Sequence, residues 1–316
     1  MTTQANMAAD KAAPEGDGAL GPMLLAARRQ FTAAGIDSAA LDARLLAAHA
    51  LGWTPARVAA HPEHALSRAE RRRFAGLVRR RLNREPVALI LGRREFWGLE
   101  FKVTPATLIP RPESETLIER ALAHVDARLA PEAAPEAAPE AEGREAKLSV
   151  LDLGTGTGCL LLSLLHEMPN ASGLGVDVSG DALAVAEQNA LRLGLAGRAA
   201  FRAGDWADGV QGEYDLVVAN PPYIADGAFA SLMPEVARFE PRLALSGGPD
   251  GLRCYRALFA GLGRLLAKGG VALVEIGATQ EAPVRALAEG SGLRVSAVHA
   301  DLAGHPRVVE ARAEIS

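Results

Sequence analysis

Apolar positions change their period once along this chain. From Pro22 to about Glu85 they recur at helical spacing in short segments, which predicts a small all-helical domain. Between Ser38 and Ala50, Leu41, Leu45 and Ala48 share one helical face, with Asp37 or Ser38 as the N-cap. Thr54 and Pro55 open another short helix, because proline at the first helical position forfeits no intrahelical bond. Ser67 and Glu70 form a capping box ahead of "RAERRRFAGLVRRRLNRE", whose apolar stripe is Phe74, Leu77, Val78 and Leu82. Residues 94–103, "REFWGLEFKV", alternate around Gly98 and predict a short hairpin joining two domains. A longer helix then starts near Pro112, with Leu117, Ile118, Ala121, Leu122, Val125 and Leu129 on one face.

After a Pro-Glu-Ala repeat at 131–146, read as a flexible insertion, short apolar runs alternate with helical stretches. "LSVLDLG", "GLGVDVS", "AAFRAGD", "YDLVVAN", "VALVEIG", "LRVSAVHADL" and "RVVEARAE" read as strands. "CLLLSLLHEM", "DALAVAEQNALRLG", "YRALFAGLGRLLAKGG" and "QEAPVRALAEG" read as helices. Such alternation predicts an α/β fold, a mostly parallel sheet with helices on both faces. The expected organisation is a disordered tail over 1–19, a helical domain over 20–92, a hairpin linker over 93–108 and an α/β domain over 109–316.

Composition narrows the function. A net charge of −4 argues against non-specific nucleic-acid binding by the chain as a whole. No stretch of about 18 apolar residues is present, and the first residues carry Asp10, Glu15 and Asp17 with no apolar run, so a cytoplasmic protein is expected. Cys159 and Cys254 are far apart and are expected to be reduced, buried and structural. His61 and His64 lack a third ligand group, so no metal is expected. Eight arginines between Arg68 and Arg84 make either a solvated helix face or a basic docking surface.

The chemistry gathers where strands end. The first strand of the α/β region runs into "DLGTGTG", and a helix follows; glycines there let the backbone approach a ligand closely. The spacing of Gly154, Gly156 and Gly158 is not the G-x-G-x-x-G that seats a pyrophosphate. Asp177 closes the second strand, where a carboxylate can accept ribose hydroxyls; capping the helix near Gly180 is its structural alternative, although Ser179 already supplies a cap. Asp205 and Trp206 close the third, and the indole offers a flat face for a base.

The fourth strand stops abruptly in "NPPY", since neither Pro221 nor Pro222 has an N–H to give a ladder. It presents the Asn220 side-chain oxygen and the Pro221 carbonyl as two rigid acceptors, with Tyr223 as a flat face, which suits a planar –NH2 group. An amide nitrogen is a poor nucleophile because its lone pair is delocalised. Two acceptors gripping its hydrogens favour the more pyramidal nitrogen that forms as it attacks.

"DLGTGTG", "VDVS" and "NPPY" in this order resemble class I S-adenosylmethionine-dependent methyltransferases of amino groups. With "EFWGLEFKVTPATLIPRPESETLIE", "FEPRLALSGGPDGLRCYRAL" and "DLAGHPRVV", the chain from about residue 20 to 313 resembles the peptide chain release factor N5-glutamine methyltransferases. The resemblance implies a Rossmann-like sheet preceded by a small all-α domain and a hairpin. It also implies methyl transfer from S-adenosylmethionine to the side-chain amide of the glutamine in a Gly-Gly-Gln motif, leaving S-adenosylhomocysteine. In that family Gly154, Thr155, Gly156, Thr157 and Gly158 would enclose the methionine part of the cofactor, Asp177 its ribose and Trp206 its adenine. Asn220, Pro221, Pro222 and Tyr223 would hold the target amide, with Asn220 also beside the cofactor.

Class I release factors are the implied partners, gripped in part by the helical domain, with no membrane or direct nucleic-acid partner and a monomeric state expected. Arg111, Glu113 and Glu115 stand either near the site or at a solvent-facing helix start. Two positions depart from the family: Ser114 stands where threonine is usual, and His305 where arginine is usual. Two other readings stay open, an exocyclic-amine methyltransferase of nucleic-acid bases, which also uses NPPY, and a non-catalytic protein that kept the fold.

Overall fold

A computed structural model describes residues 18–128 and 147–314. The first seventeen residues, Leu129 and the Pro-Glu-Ala insertion lie outside the described residues. The chain divides into a helical unit ending at Gly92 and a larger unit starting at Arg93.

In the helical unit, α1 (Leu20–Ala33), α2 (Ala39–Leu51), α3 (Pro55–Ala60), α4 (Arg68–Leu82) and α5 (Val87–Leu91) surround Leu20, Phe31, Leu46, Val58 and Phe74. Thr54 caps α3 through the Arg57 N–H, and Ser67 and Glu70 make the reciprocal capping box of α4. The buried face of α2 is not the expected one. Leu41 is 53% exposed and Leu45 half-buried; of the expected residues only Ala48 is buried, beside Ala39, Asp42, Ala43, Leu46 and Ala47, which turn inward. Alanines outnumber leucines on this helix, six to four, so leucine spacing alone does not select a face. Ser38 occupies the N-cap position without a side-chain bond.

Asp42 is buried because Arg81 Nε donates to its Oδ2 at 2.7 Å. Removing one member of such a pair costs ~3–5 kcal/mol, because the other charge stays buried. Of the eight arginines, Arg81 therefore belongs to the core, Arg84 donates to the Ala34 and Gly35 carbonyls, and the other six are exposed.

The larger unit opens with the hairpin β1 (Arg93–Phe96) and β2 (Leu99–Lys102). Its two turn residues, Trp97 and Gly98, have φ of 53° and 70°, the backbone of a I′ turn. Trp97 holds this conformation because its backbone N–H donates to Glu115 and its indole N–H to Glu167, each at 2.9 Å. A 3₁₀ turn over Pro112–Ser114 leads into α6 (Glu115–Arg128), whose expected stripe is buried from Leu117 to Val125.

There follow β3 (Ser149–Leu153), α7 (Cys159–Glu167), β4 (Ser172–Asp177), α8 (Gly180–Arg192), β5 (Ala199–Ala203) and β6 (Tyr214–Ala219). Then come β7 (Ile224–Ala225), α9 (Pro234–Phe239), β8 (Ser246–Gly248), α10 (Arg253–Leu262), β9 (Leu266–Glu275), α11 (Glu281–Gly290), β10 (Leu293–Ala300) and β11 (Pro306–Ala313). The central sheet has the order β10-β11-β9-β6-β3-β4-β5, antiparallel only at β10 and β11. This is the expected α/β class. The strand β9 starts five residues before the expected one, with α10 stopping at Leu262, because Gly269 and Gly270 belong to the strand and not to a helix end.

Residues alternate between two cores along each central strand. Val150, Leu216 and Val218 pack with α6 and α7, whereas Leu151, Leu153, Val217 and Ala219 pack with α10 and α11. The chain runs outward from β3 to β5 on one side, then returns to β6 on the other. The loops after β3 and β6 diverge at that reversal, where ligands of open α/β sheets bind.

Candidate functional site

The loops after β3, β4, β5 and β6, with residues 106–114, 241–244 and the start of α10, line a cavity of about 590 Å³ at the carboxyl end of the sheet, within the range of small-molecule sites. The loop after β3 supplies Gly154, Thr155, Gly156 and Thr157 to its wall. Gly154, Gly156 and Gly158 have φ of 80°, 55° and 78°, values that side-chain-bearing residues rarely adopt. A Cβ on Gly154 would stand 3.5 Å from the Trp206 ring, in the space between loop and indole. Gly158 itself is not part of the wall. It closes the loop as the residue before α7, with Leu162 and Ala186 against its Cα.

Asp177 ends β4 with both carboxylate oxygens engaged. Oδ2 accepts the Gly156 N–H and Oδ1 the Ser179 N–H, each at 2.9 Å. Each oxygen keeps a second lone-pair direction, and the residue still lines the cavity. The cap of α8 is Ser179, which accepts the Ala182 N–H, so Asp177 is not needed there. Beneath the loop, the Thr155 hydroxyl donates to buried Asp152 at 2.6 Å, and burial pushes that carboxyl up to about 7. Trp206 follows β5 with φ 51° and lines the cavity beside Asp205.

Of the NPPY residues, Asn220 and Pro222 reach the cavity. Pro221 is buried and Tyr223 half-buried, and neither side chain is among the lining residues. The expected flat face of Tyr223 is therefore turned into the packing beside Tyr255, where burial pushes its phenol up to about 12. Its carbonyl accepts the Gln280 side-chain N–H at 3.0 Å, which ties the strand end to α11. Asn220 Nδ2 donates to Ser114 Oγ at 3.1 Å, which leaves Oδ1 without a partner among the described residues.

Of the two places left open for Arg111, it takes the one at the site: it lines the cavity and pairs with buried Glu240, which also accepts the Ile109 N–H at 3.2 Å. Glu113 is exposed, and Glu115 serves the Trp97 turn instead of the site. Asn189 on α8 is fully buried and joins β2 to the glycine loop: Lys102 N–H donates to its Oδ1, and its Nδ2 donates to the Lys102 and Thr157 carbonyls. A polar residue on an otherwise apolar helix face was the available signal.

Cys159 and Cys254 are unpaired and Cys254 is buried as expected, whereas the expected burial of Cys159 is corrected. Both line the cavity, and Cys159 is only half-buried. Burial pushes the Cys159 thiol up to about 12, so it stays protonated at neutral pH. His61 bonds Glu63 and His64 packs on Trp53, and among the described residues no His, Cys, Asp and Glu cluster is arranged to hold a metal ion. His305 is exposed and held by its backbone N–H to Asp301, while Arg307, two residues on, donates to Asp301 and to the Ile276 carbonyl.

The residues fit a nucleoside joined to a short charged chain. The fit rests on the Cβ-free cradle at Gly154, on an acceptor carboxylate at Asp177 and on an indole closing the same wall.

Comparison with known proteins agrees with this geometry. The family model described as the PrmC N-terminal domain matches residues 23–92, and one described as a methyltransferase domain matches residues 144–292. The release factor glutamine methyltransferase of Cereibacter sphaeroides is 46% identical over 289 residues, 92% of this chain and 96% of that protein. That of Rhodospirillum rubrum is 43% identical over 93% of this chain and 85% of its own length. That of Bradyrhizobium diazoefficiens is 42% identical over 92% of this chain and 95% of its own. With such identity along nearly its whole length, the chain belongs to the release factor glutamine methyltransferase family and is an S-adenosylmethionine-dependent methyltransferase.

Proposed function

We propose that this enzyme methylates the side-chain amide nitrogen, N5, of the glutamine in the Gly-Gly-Gln motif of class I release factors. The observation that carries the reading is the state of Asn220. Its Nδ2 is engaged by Ser114, and its Oδ1 is left as an acceptor in the wall of the cavity.

In this reading Gly154 to Thr157 cradle the methionine part of S-adenosylmethionine, Asp177 accepts from the ribose, and Trp206 lies along the adenine. The cofactor supplies an electrophilic methyl carbon on a sulfonium. Asn220 Oδ1 and the Pro221 carbonyl each accept one N–H of the substrate amide and hold its nitrogen toward that carbon. Proline on both sides of the second acceptor keeps it from turning away. As the new N–C bond forms and the C–S bond breaks, positive charge develops on the nitrogen; the two acceptors stabilise its hydrogens, and one proton then leaves to water. No strong base is needed, since placement of the two groups supplies much of the rate.

The same acceptor pair suits an aromatic amine. The net charge of −4 favours a protein substrate over a polyanion. The test is incubation of the purified enzyme with S-adenosylmethionine and a class I release factor, followed by tryptic mass spectrometry. One methyl on the Gly-Gly-Gln glutamine, absent when that glutamine is changed, is the expected result. Cofactor binding without that methyl, or transfer to RNA or DNA instead, would overturn it.

A further inference from the structure

Asn220 is one end of a buried three-residue chain. Its Nδ2 donates to Ser114 Oγ at 3.1 Å, and Ser114 Oγ donates to Glu275 Oε2 at 2.5 Å. Asn220 directly follows β6, Ser114 lies in the turn before α6 and Glu275 ends β9, so Ser114 is more than a hundred positions in sequence from either partner. Ser114 and Glu275 are 3% and 1% exposed, so water does not compete for these bonds. Glu275 is anchored on its other side, since the Tyr255 hydroxyl donates to its backbone carbonyl at 3.1 Å.

We infer that Glu275 and Ser114 are positioning residues that set which end of the Asn220 amide faces the substrate. The argument is one of hydrogen-bond polarity. An ionised carboxylate only accepts, so the Ser114 hydroxyl must donate to it. That hydroxyl has one proton and has spent it, so toward Asn220 it only accepts. Asn220 must then present Nδ2 inward and Oδ1 to the cavity. A group at position 275 that donates to the hydroxyl reverses every step: the hydroxyl is free to donate to Oδ1, and Nδ2 swings toward the substrate –NH2, which offers only hydrogens. The inference rests on the reading of Asn220 as an amide acceptor.

Geometry also gives the relay a pH dependence. Burial pushes the Glu275 carboxyl up to about 7, against the Ser114 bond and the Arg307 and Arg111 charges, which lower it, and with Glu113, which raises it. Tyr223, Tyr255 and the Cys159 thiol, all neutral at this pH, also face it. Below that value a protonated Glu275 becomes a donor, and the polarity that presents Oδ1 is lost.

The decisive experiment compares wild type, Glu275→Gln, Ser114→Ala and Ser114→Thr for kcat, KM, cofactor affinity and melting temperature on a release factor. Ser114→Ala is expected to lower kcat by about tenfold or more, the size of one aligned bond, with cofactor Kd within about twofold, while Glu275→Gln, whose amide oxygen can still accept from Ser114, is expected to lose less. Ser114→Thr keeps a hydroxyl and is expected to retain most of the rate. Wild-type kcat should fall as pH drops below about 7, and Glu275→Gln should lose that limb. Its melting temperature above that pH should be no lower than wild type, because a neutral isostere escapes the cost of a buried charge.

Wild-type kcat and an unchanged pH profile in Glu275→Gln would overturn the inference. So would a Ser114→Thr variant as slow as Ser114→Ala with its cofactor still bound. If Glu275→Gln does not fold, the two serine variants decide alone. If wild type leaves the release factor unmethylated, the proposed function fails first, and the relay is then read from the Asn220 side-chain amide ¹⁵N signal. It should titrate with pH in wild type and move in Ser114→Ala; a signal unmoved by either overturns the relay too.

Discussion

Asp177 at the end of β4 accepts the backbone N–H of Gly156 at 2.9 Å, bridging the ends of two neighbouring strands. One carboxylate thereby holds the glycine loop in shape while keeping lone pairs for a ligand. Asp177→Ala is expected to weaken S-adenosylmethionine binding by at least about tenfold, since it removes the loop tie and the proposed ribose acceptor. Isothermal titration measures this; an unchanged Kd would remove Asp177 from the cofactor site.

Asn220→Ala separates binding from chemistry. Turnover of a release factor is expected to fall by about a hundredfold, the scale for losing a preorganised polar group in a transition state, while cofactor affinity stays within about threefold. Initial rates paired with titration decide it, and full activity sinks the amide grip.

Two glycines next to the site make a matched pair. A Cβ on Gly175 would meet the Phe201 ring at 2.7 Å and Thr155 Oγ1 at 2.9 Å, whereas one on Gly180 meets nothing within 4 Å. Gly175→Ala is expected to cost about 1–3 kcal/mol through overpacking. Gly180→Ala, in the first turn of α8, should be neutral or stabilising by about 0.5 kcal/mol. Denaturant unfolding of both variants gives the comparison, and equal stabilities would contradict the packing argument.

The edge hairpin carries an acid-sensitive contact. Glu310 Oε2 meets His299 Nε2 at 3.0 Å, and Oε1 accepts from Ser296 and Arg312. The His299 bond, then Ser296 and Arg312, hold this carboxyl down at about 2. A depressed acid contributes stability above its unfolded value of about 4.5 and loses it as pH falls toward 2. Glu310→Gln should therefore lower stability near neutrality, on the order of 1–2 kcal/mol, and flatten its fall between about pH 5 and 2. Parallel pH-dependent unfolding curves for the two proteins would refute this.

Much of the site was legible because its parts lie at strand ends. A buried run that stops at a glycine loop, an acid or a double proline announces itself locally, whatever packs around it. Gly154 to Thr157, Asp177, Trp206, Asn220 and Pro222 all stand at the cavity they were expected to form. Leu41 shows where local reading fails. Its spacing matched a helical face, yet the alanine-rich side of α2 was buried instead, because Arg81 from α4 draws Asp42 inward.

Sequence by itself determined the alternation of strands and helices, the edge of the sheet where chemistry gathers and the family to which the chain belongs. These are local patterns of period, turn chemistry and motif order. Only the tertiary structure decided that Tyr223 turns into the core, that Asn189 ties the hairpin to the glycine loop, and that both cysteines face the cavity. It alone brought Ser114 and Glu275 to Asn220. Hydrogen-bond polarity passes between side chains that meet only when the sheet closes, so no window of sequence contains it.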